Sequence, residues 1–67
     1  MTAIEAMRKK YPSGTRVRLL EMNDPYGPYL GTYGTVVAVE DTGTMQVAWD
    51  NGCTLRVLPG LDRVVKL

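Results

Sequence analysis

Histidine and phenylalanine are absent from this chain of 67 residues, and cysteine and tryptophan occur once each. Without histidine, the commonest metal ligand and the commonest general base near neutral pH are missing. A single cysteine, Cys53, cannot form an internal disulfide, and no imidazole exists to activate it as a nucleophile. No apolar run reaches the length of a membrane span. The opening segment already carries Glu5, Arg8, Lys9 and Lys10, so no secretory leader is read. A reducing, cytoplasmic setting is the expectation. An excess of one charge is also lacking: eight basic residues against seven acidic leave a net charge of +1. That balance argues against a protein whose main task is to coat nucleic acid. The length allows a single domain over residues 1–67, and a chain of this size buries only about 60% of its unfolded surface.

What the chain does contain is a hairpin at Val47-Ala48-Trp49-Asp50-Asn51-Gly52-Cys53-Thr54-Leu55. Asn-Gly between alternating apolar runs is the strongest short-range hairpin signal. A two-residue loop would set Trp49 opposite Thr54 and Val47 opposite Arg56, mixing apolar and polar side chains on one face. A three-residue loop, Asp50-Asn51-Gly52, pairs Trp49 with Cys53, Val47 with Leu55 and Met45 with Val57, and only this choice gives an apolar face. Gly52 then takes the left-handed position. Asp41-Thr42-Gly43 repeats the pattern, pairing Glu40 with Thr44, Val39 with Met45, Val37 with Val47 and Thr35 with Trp49. Gly43 is expected in the same conformation as Gly52.

Upstream, Thr2 and Glu5 have capping-box spacing, Arg8 to Lys10 suit a helix C-terminus, and Pro12 and Gly14 stop the helix. Ile4, Met7 and Tyr11 form one apolar stripe over a helix of about residues 3–10. Thr15 to Leu20 alternates as a first strand, with Val17 and Leu19 inward and Arg16 and Arg18 outward. Met22 to Tyr33 holds two prolines, two glycines and three tyrosines and reads as a long structured loop. Thr35 to Val39 is the second strand, Pro59-Gly60 turns the chain, and Arg63 to Leu67 is the last strand. The fold expected is all-β: a small five-stranded SH3-like barrel over about residues 15–67, preceded by the short N-terminal helix.

The chemistry-bearing residues have plain structural explanations. Asp41-Thr42-Gly43 is the tripeptide of aspartic proteases, but that chemistry needs two carboxylates sharing a proton, and the strand phase already accounts for the glycine. Cys53 is expected as a small apolar residue opposite Trp49, and Trp49 as core with its indole N–H on a polar neighbour. Asp24, Glu40, Asp41, Asp50 and Asp62 fall at turns, where acids bond their own backbone. No catalytic, cofactor-binding or metal-binding residue is expected, and no enzyme activity. Two surfaces remain. Asp24, Tyr26, Tyr29, Leu30 and Tyr33 form a tyrosine-rich loop, suited either to a protein interface or to capping the open end of a thin barrel. Arg16, Arg18, Arg63 and Lys66, from the terminal strands, could share a phosphate-binding face, although Glu21 and Asp62 stand near enough to neutralise it.

Tyr11-Pro12-x-Gly14-Thr15-Arg16-Val17, Met22-x-Asp24-Pro25-Tyr26, Gly31-Thr32-x-Gly34-Thr35-Val36 and Trp49-Asp50-Asn51-Gly52, with Pro59-Gly60 and Asp62, together resemble an uncharacterised domain family. Its members occur in Gram-positive bacteria, their phages and their conjugative elements, and the resemblance runs from Tyr11 to Val65. It implies an SH3-like barrel in a mobile-element or phage setting and supplies no catalytic residue. A shorter stretch, a Gly-x-Val strand after a glycine turn, is similar to the KOW barrels of ribosome- and transcription-associated proteins. The function expected is a non-catalytic module that binds a protein partner, as an accessory or inhibitory protein acting on host or element machinery. The alternatives are a nucleic-acid-binding barrel and a structural subunit of a larger assembly. No membrane partner and no cofactor are expected, and a homo-oligomer is compatible with the size.

Overall fold

In a computed structural model, which describes residues 2–22, 25–58 and 60–67, the chain begins with the expected helix. Thr2 is the cap: its hydroxyl accepts a hydrogen bond from the Glu5 amide at 3.1 Å, and α1 runs Ala3–Lys10. The helix buries no residue fully. Its stripe, Ile4 and Met7 with Tyr11 at the C-cap, packs half-buried against the core. An eight-residue helix would not persist alone in water, so its order comes from this contact.

The strands are β1 (Arg16–Glu21), β2 (Tyr33–Val39), β3 (Met45–Trp49) and β4 (Arg63–Lys66). They form one antiparallel sheet in the order β3-β2-β1-β4. Its inner face carries Val17 and Leu19 from β1, Val36 and Val39 from β2, and Met45, Val47 and Trp49 from β3, joined by Val57. Arg16 and Arg18 lie outward, as the alternation predicts.

Both hairpin loops close as the sequence predicts, and by the same pair of bonds. The Gly43 amide donates to the Glu40 carbonyl while the Glu40 amide donates to Thr44, both at 2.8 Å. At the second loop Gly52 donates to Trp49 at 2.9 Å and Trp49 donates to Cys53 at 3.1 Å. Gly43 and Gly52 have φ of 87° and 89°, where a Cβ would be strained. The Cys53 amide also donates to the Asn51 side-chain oxygen at 2.9 Å, fixing the turn from within.

Two expectations need correction. The sheet has four strands rather than five, and it is not closed into a barrel among the described residues. The strand expected to follow the Asp50-Asn51-Gly52 loop is the one missing: residues 53–57 are joined to β3 at their ends only, by the Trp49–Cys53 bond and by a reciprocal pair between Met45 and Val57 at 2.9 and 2.8 Å. Between these points the Trp49 indole N–H donates to the Leu55 carbonyl at 3.0 Å. A side chain thus takes the acceptor that a regular ladder would use.

The second correction lies in β2. Val37 does not oppose Val47, nor Thr35 Trp49. The observed register is Gly34↔Trp49, Thr35↔Ala48 and Val36↔Val47, then Ala38↔Gln46 and Val39↔Met45, with a shift between Val36 and Ala38. Val36 is therefore buried and Val37 is 43% exposed. The cause is Gly34, which begins the inward phase beneath Trp49. A Cβ there would stand 2.7 Å from both Trp49 Cε3 and Val47 Cγ1. Gly34 and Val36 occupy one face, and an extra residue is needed before Val39 can rejoin it.

Candidate protein-binding surface

The segment joining β1 to β2 is held firmly where it returns to the sheet. Gly31 donates to the Leu19 carbonyl at 2.7 Å, and Leu19 donates to Thr32 at 2.9 Å. The Tyr29 carbonyl accepts twice from Thr32, from the amide at 3.1 Å and from the hydroxyl at 2.6 Å. Pro28 is buried beneath. The backbone is anchored, yet Tyr26 and Tyr29 are 89% and 88% exposed and Leu30 is 65% exposed. These two rings do not cap the core. Tyr33, 43% exposed, lies within β2 rather than in the loop. Asp24, the remaining member of the expected surface, lies outside the described residues.

The structure does not gather the four bases expected to share a face into one open set. Arg16 is committed: Nη1 and Nη2 donate to the two Asp50 carboxylate oxygens at 2.8 and 2.6 Å, and Nη1 also reaches the Thr35 hydroxyl at 2.9 Å. The hydrogen bond from Arg16 holds the Asp50 carboxyl below the usual carboxylate range, and the same bond raises the Arg16 pKa. Lys66 pairs with Val17, a residue on the inner phase of β1, so Lys66 lies on the opposite phase from Arg16 and Arg18. Arg63 stands opposite Glu21 across the β1–β4 ladder. Asp62, buried to 7% exposure, accepts from the Leu58 amide at 2.9 Å and clasps the turn that leads into β4.

Arg18 keeps different company. It sits opposite Tyr33 on one side and Val65 on the other, with its guanidinium carbon 5.6 Å from the Tyr33 ring centroid. With Leu19, Leu20, Leu30 and Gly31 it lines a shallow depression of about 310 Å³. The structure therefore joins one member of the expected basic face to the tyrosine surface. Sequence reasoning did not find that pairing, nor the Arg16–Asp50 fork. Both follow from strand register, and the register depends on the β2 bulge. Among the described residues there is no group of three or more side chains placed to hold a metal ion, and no helix is long and apolar enough to cross a membrane.

Fold and surface together define a small antiparallel β-sheet protein with a helix on its core and an outward tyrosine-bearing loop. The chain belongs to the family described as Domain of unknown function (DUF4314), whose model matches residues 1–67. Comparison with the curated proteins and with the solved structures gave no match.

Proposed function

We propose that this protein is a non-catalytic module that binds a protein partner through Tyr26, Tyr29, Leu30 and Tyr33. The observation that carries the reading is the 89% and 88% exposure of Tyr26 and Tyr29 on a loop whose return is fixed by hydrogen bonds. Tyrosine offers a large amphipathic area at small entropic cost, and an anchored backbone leaves little ordering to be done on binding. In architecture the finer reading is an SH3-like barrel, with residues 53–57 as an irregular fifth strand, supported by the Trp49–Cys53 and Met45–Val57 bonds. The role that goes with it is an accessory or inhibitory protein of a phage or mobile element in the cytoplasm, supported by the motif resemblance. A nucleic-acid-binding barrel is the weaker reading, because Arg16 is neutralised by Asp50 and Lys66 lies on the other sheet phase.

The test compares the wild type with Tyr26→Ala/Tyr29→Ala for partner capture from host lysate and for thermal unfolding. The variant is expected to lose the captured partner while its Tm moves by no more than about 4 °C, as for surface substitutions in a domain this small. A large fall in Tm, or capture that persists, refutes the reading.

A further inference from the structure

Three ion pairs occur among the described residues, Arg8–Asp41, Arg16–Asp50 and Arg56–Glu40, and Arg18 is in none of them. It lies next to Arg16 on the outward phase of β1, and the two differ in what meets the guanidinium. The fork of Arg16 closes on both oxygens of one carboxylate. Arg18 makes one long bond, from Nε to the Gly31 carbonyl at 3.4 Å, and neither Nη nitrogen donates to a described acceptor.

Its position is nonetheless constrained. The guanidinium lies against the Tyr33 ring and over Gly31, where a Cβ would come within 3.3 Å of Nη2. A planar, delocalised cation is suited to such a seat, where a lysine ammonium would not match it. Around it stand Leu20, 42% exposed, Leu30, 65%, and Val65, 41%. The result is an open bidentate donor set in an apolar, aromatic frame.

We propose that Arg18 reads a carboxylate on the partner, so that the segment bound here presents an Asp or Glu flanked by apolar side chains. The inference rests on the protein-binding reading and narrows it to one partner chemistry. The Arg16–Asp50 fork on the same face shows the geometry the second arginine offers. Charge complementarity favours an acidic peptide segment over a nucleic-acid backbone. A phosphate chain is held by several cations along a track, whereas here Arg16 is already paired and the neighbours of Arg18 are leucine, valine and tyrosine.

A random peptide library displayed on phage, selected against the full chain, tests this. Wild-type protein should enrich sequences with Asp or Glu beside Leu, Ile, Phe or Trp. Against an enriched peptide, Arg18→Glu should weaken binding at least about tenfold, and Arg18→Lys should fall between, since it keeps the charge and loses the fork. Arg18→Gln, which introduces no new charge, repeats the measurement should Arg18→Glu unfold. Enriched peptides that lack a carboxylate, or that bind Arg18→Glu and Arg18→Gln as well as wild type, overturn the inference. If such peptides are still lost in Tyr26→Ala/Tyr29→Ala, the protein-binding reading survives alone. If they are lost in none of the variants, or if no peptide is enriched, both fail. Arg18-dependent binding of a thymidine oligomer at physiological salt would assign the site to nucleic acid and overturn the inference as well.

Discussion

Gly34 and Gly52 illustrate two different reasons for a residue without a side chain. Gly52 stands in open space, with no atom within 4 Å of a Cβ, and its constraint is a φ of 89°. Gly34 has no positive φ; its constraint is the Trp49 ring and Val47 methyl, each 2.7 Å from where a Cβ would be. Gly52→Val should therefore cost about 1–2 kcal/mol or somewhat more through backbone strain, with the core unchanged. Gly34→Ala should cost about 1–3 kcal/mol through overpacking, and it should also displace the tryptophan. Urea unfolding followed by indole fluorescence separates them. Only Gly34→Ala should alter the native-state emission, and an unaltered spectrum would show that the ring does not bear on Gly34.

Asp50 allows a test of pH dependence. Its folded pKa is depressed, chiefly by the hydrogen bond from Arg16. The stabilising contribution is therefore present above the unfolded pKa of about 4 and is lost as pH falls through the lower folded value. Asp50→Asn, which cannot lose a charge, should show a flatter decline in Tm below pH of about 4 than the wild type. Parallel acid limbs would mean that the ion pair adds nothing in solution, which exposure can bring about.

Among the elements, the segment 53–57 depends on one side chain for its middle bond. Trp49→Phe keeps most of the buried ring but leaves the Leu55 carbonyl without the indole N–H that reaches it at 3.0 Å. The expected loss is about 1–3 kcal/mol, with faster amide exchange confined to residues near 53–57. Uniform acceleration across the sheet would place the tryptophan's role in the core alone. This element also marks where the sequence stops being legible. The two hairpin loops could be read because their rules are local: a glycine at the left-handed position and a phase argument on either side. The β2 bulge could not, since it follows from a contact between Gly34 and Trp49, residues far apart in the chain. Once Val36 replaces Val37 on the inner face, Thr35 turns outward to meet Arg16, and the Arg16–Asp50 fork and the Arg18–Tyr33 contact follow. The tyrosine loop was legible in composition, and its exposure was not, because nothing in the spacing distinguishes a ring that caps a core from one that faces water.

At the scale of the molecule, stability and the candidate surface draw on different parts of the chain. A domain this long has about 3–10 kcal/mol to lose, and its hydrophobic core side chains come from β1, β2, β3 and Val57. The helix closes that core along one side: Met7 and Tyr11 adjoin Met45, Val57 and Val64, and Arg8 ties it to β2 through the Val39 carbonyl at 3.1 Å and to Asp41 at 2.6 Å. Tyr26, Tyr29 and Leu30 contribute little to it, being exposed. Met7→Ala should thus destabilise by about 1–3 kcal/mol despite its place on a helix with no fully buried residue. Arg8→Ala should remove about 1 kcal/mol more and reduce helical circular dichroism before the sheet unfolds. Combined, the two changes should take a large share of the stability and leave the proposed binding through Tyr26 and Tyr29 intact in whatever fraction stays folded. Urea titration with far-ultraviolet detection checks the first part. An unfolding midpoint that does not move would show that the sheet stands without its helix, and that the core ends at β4.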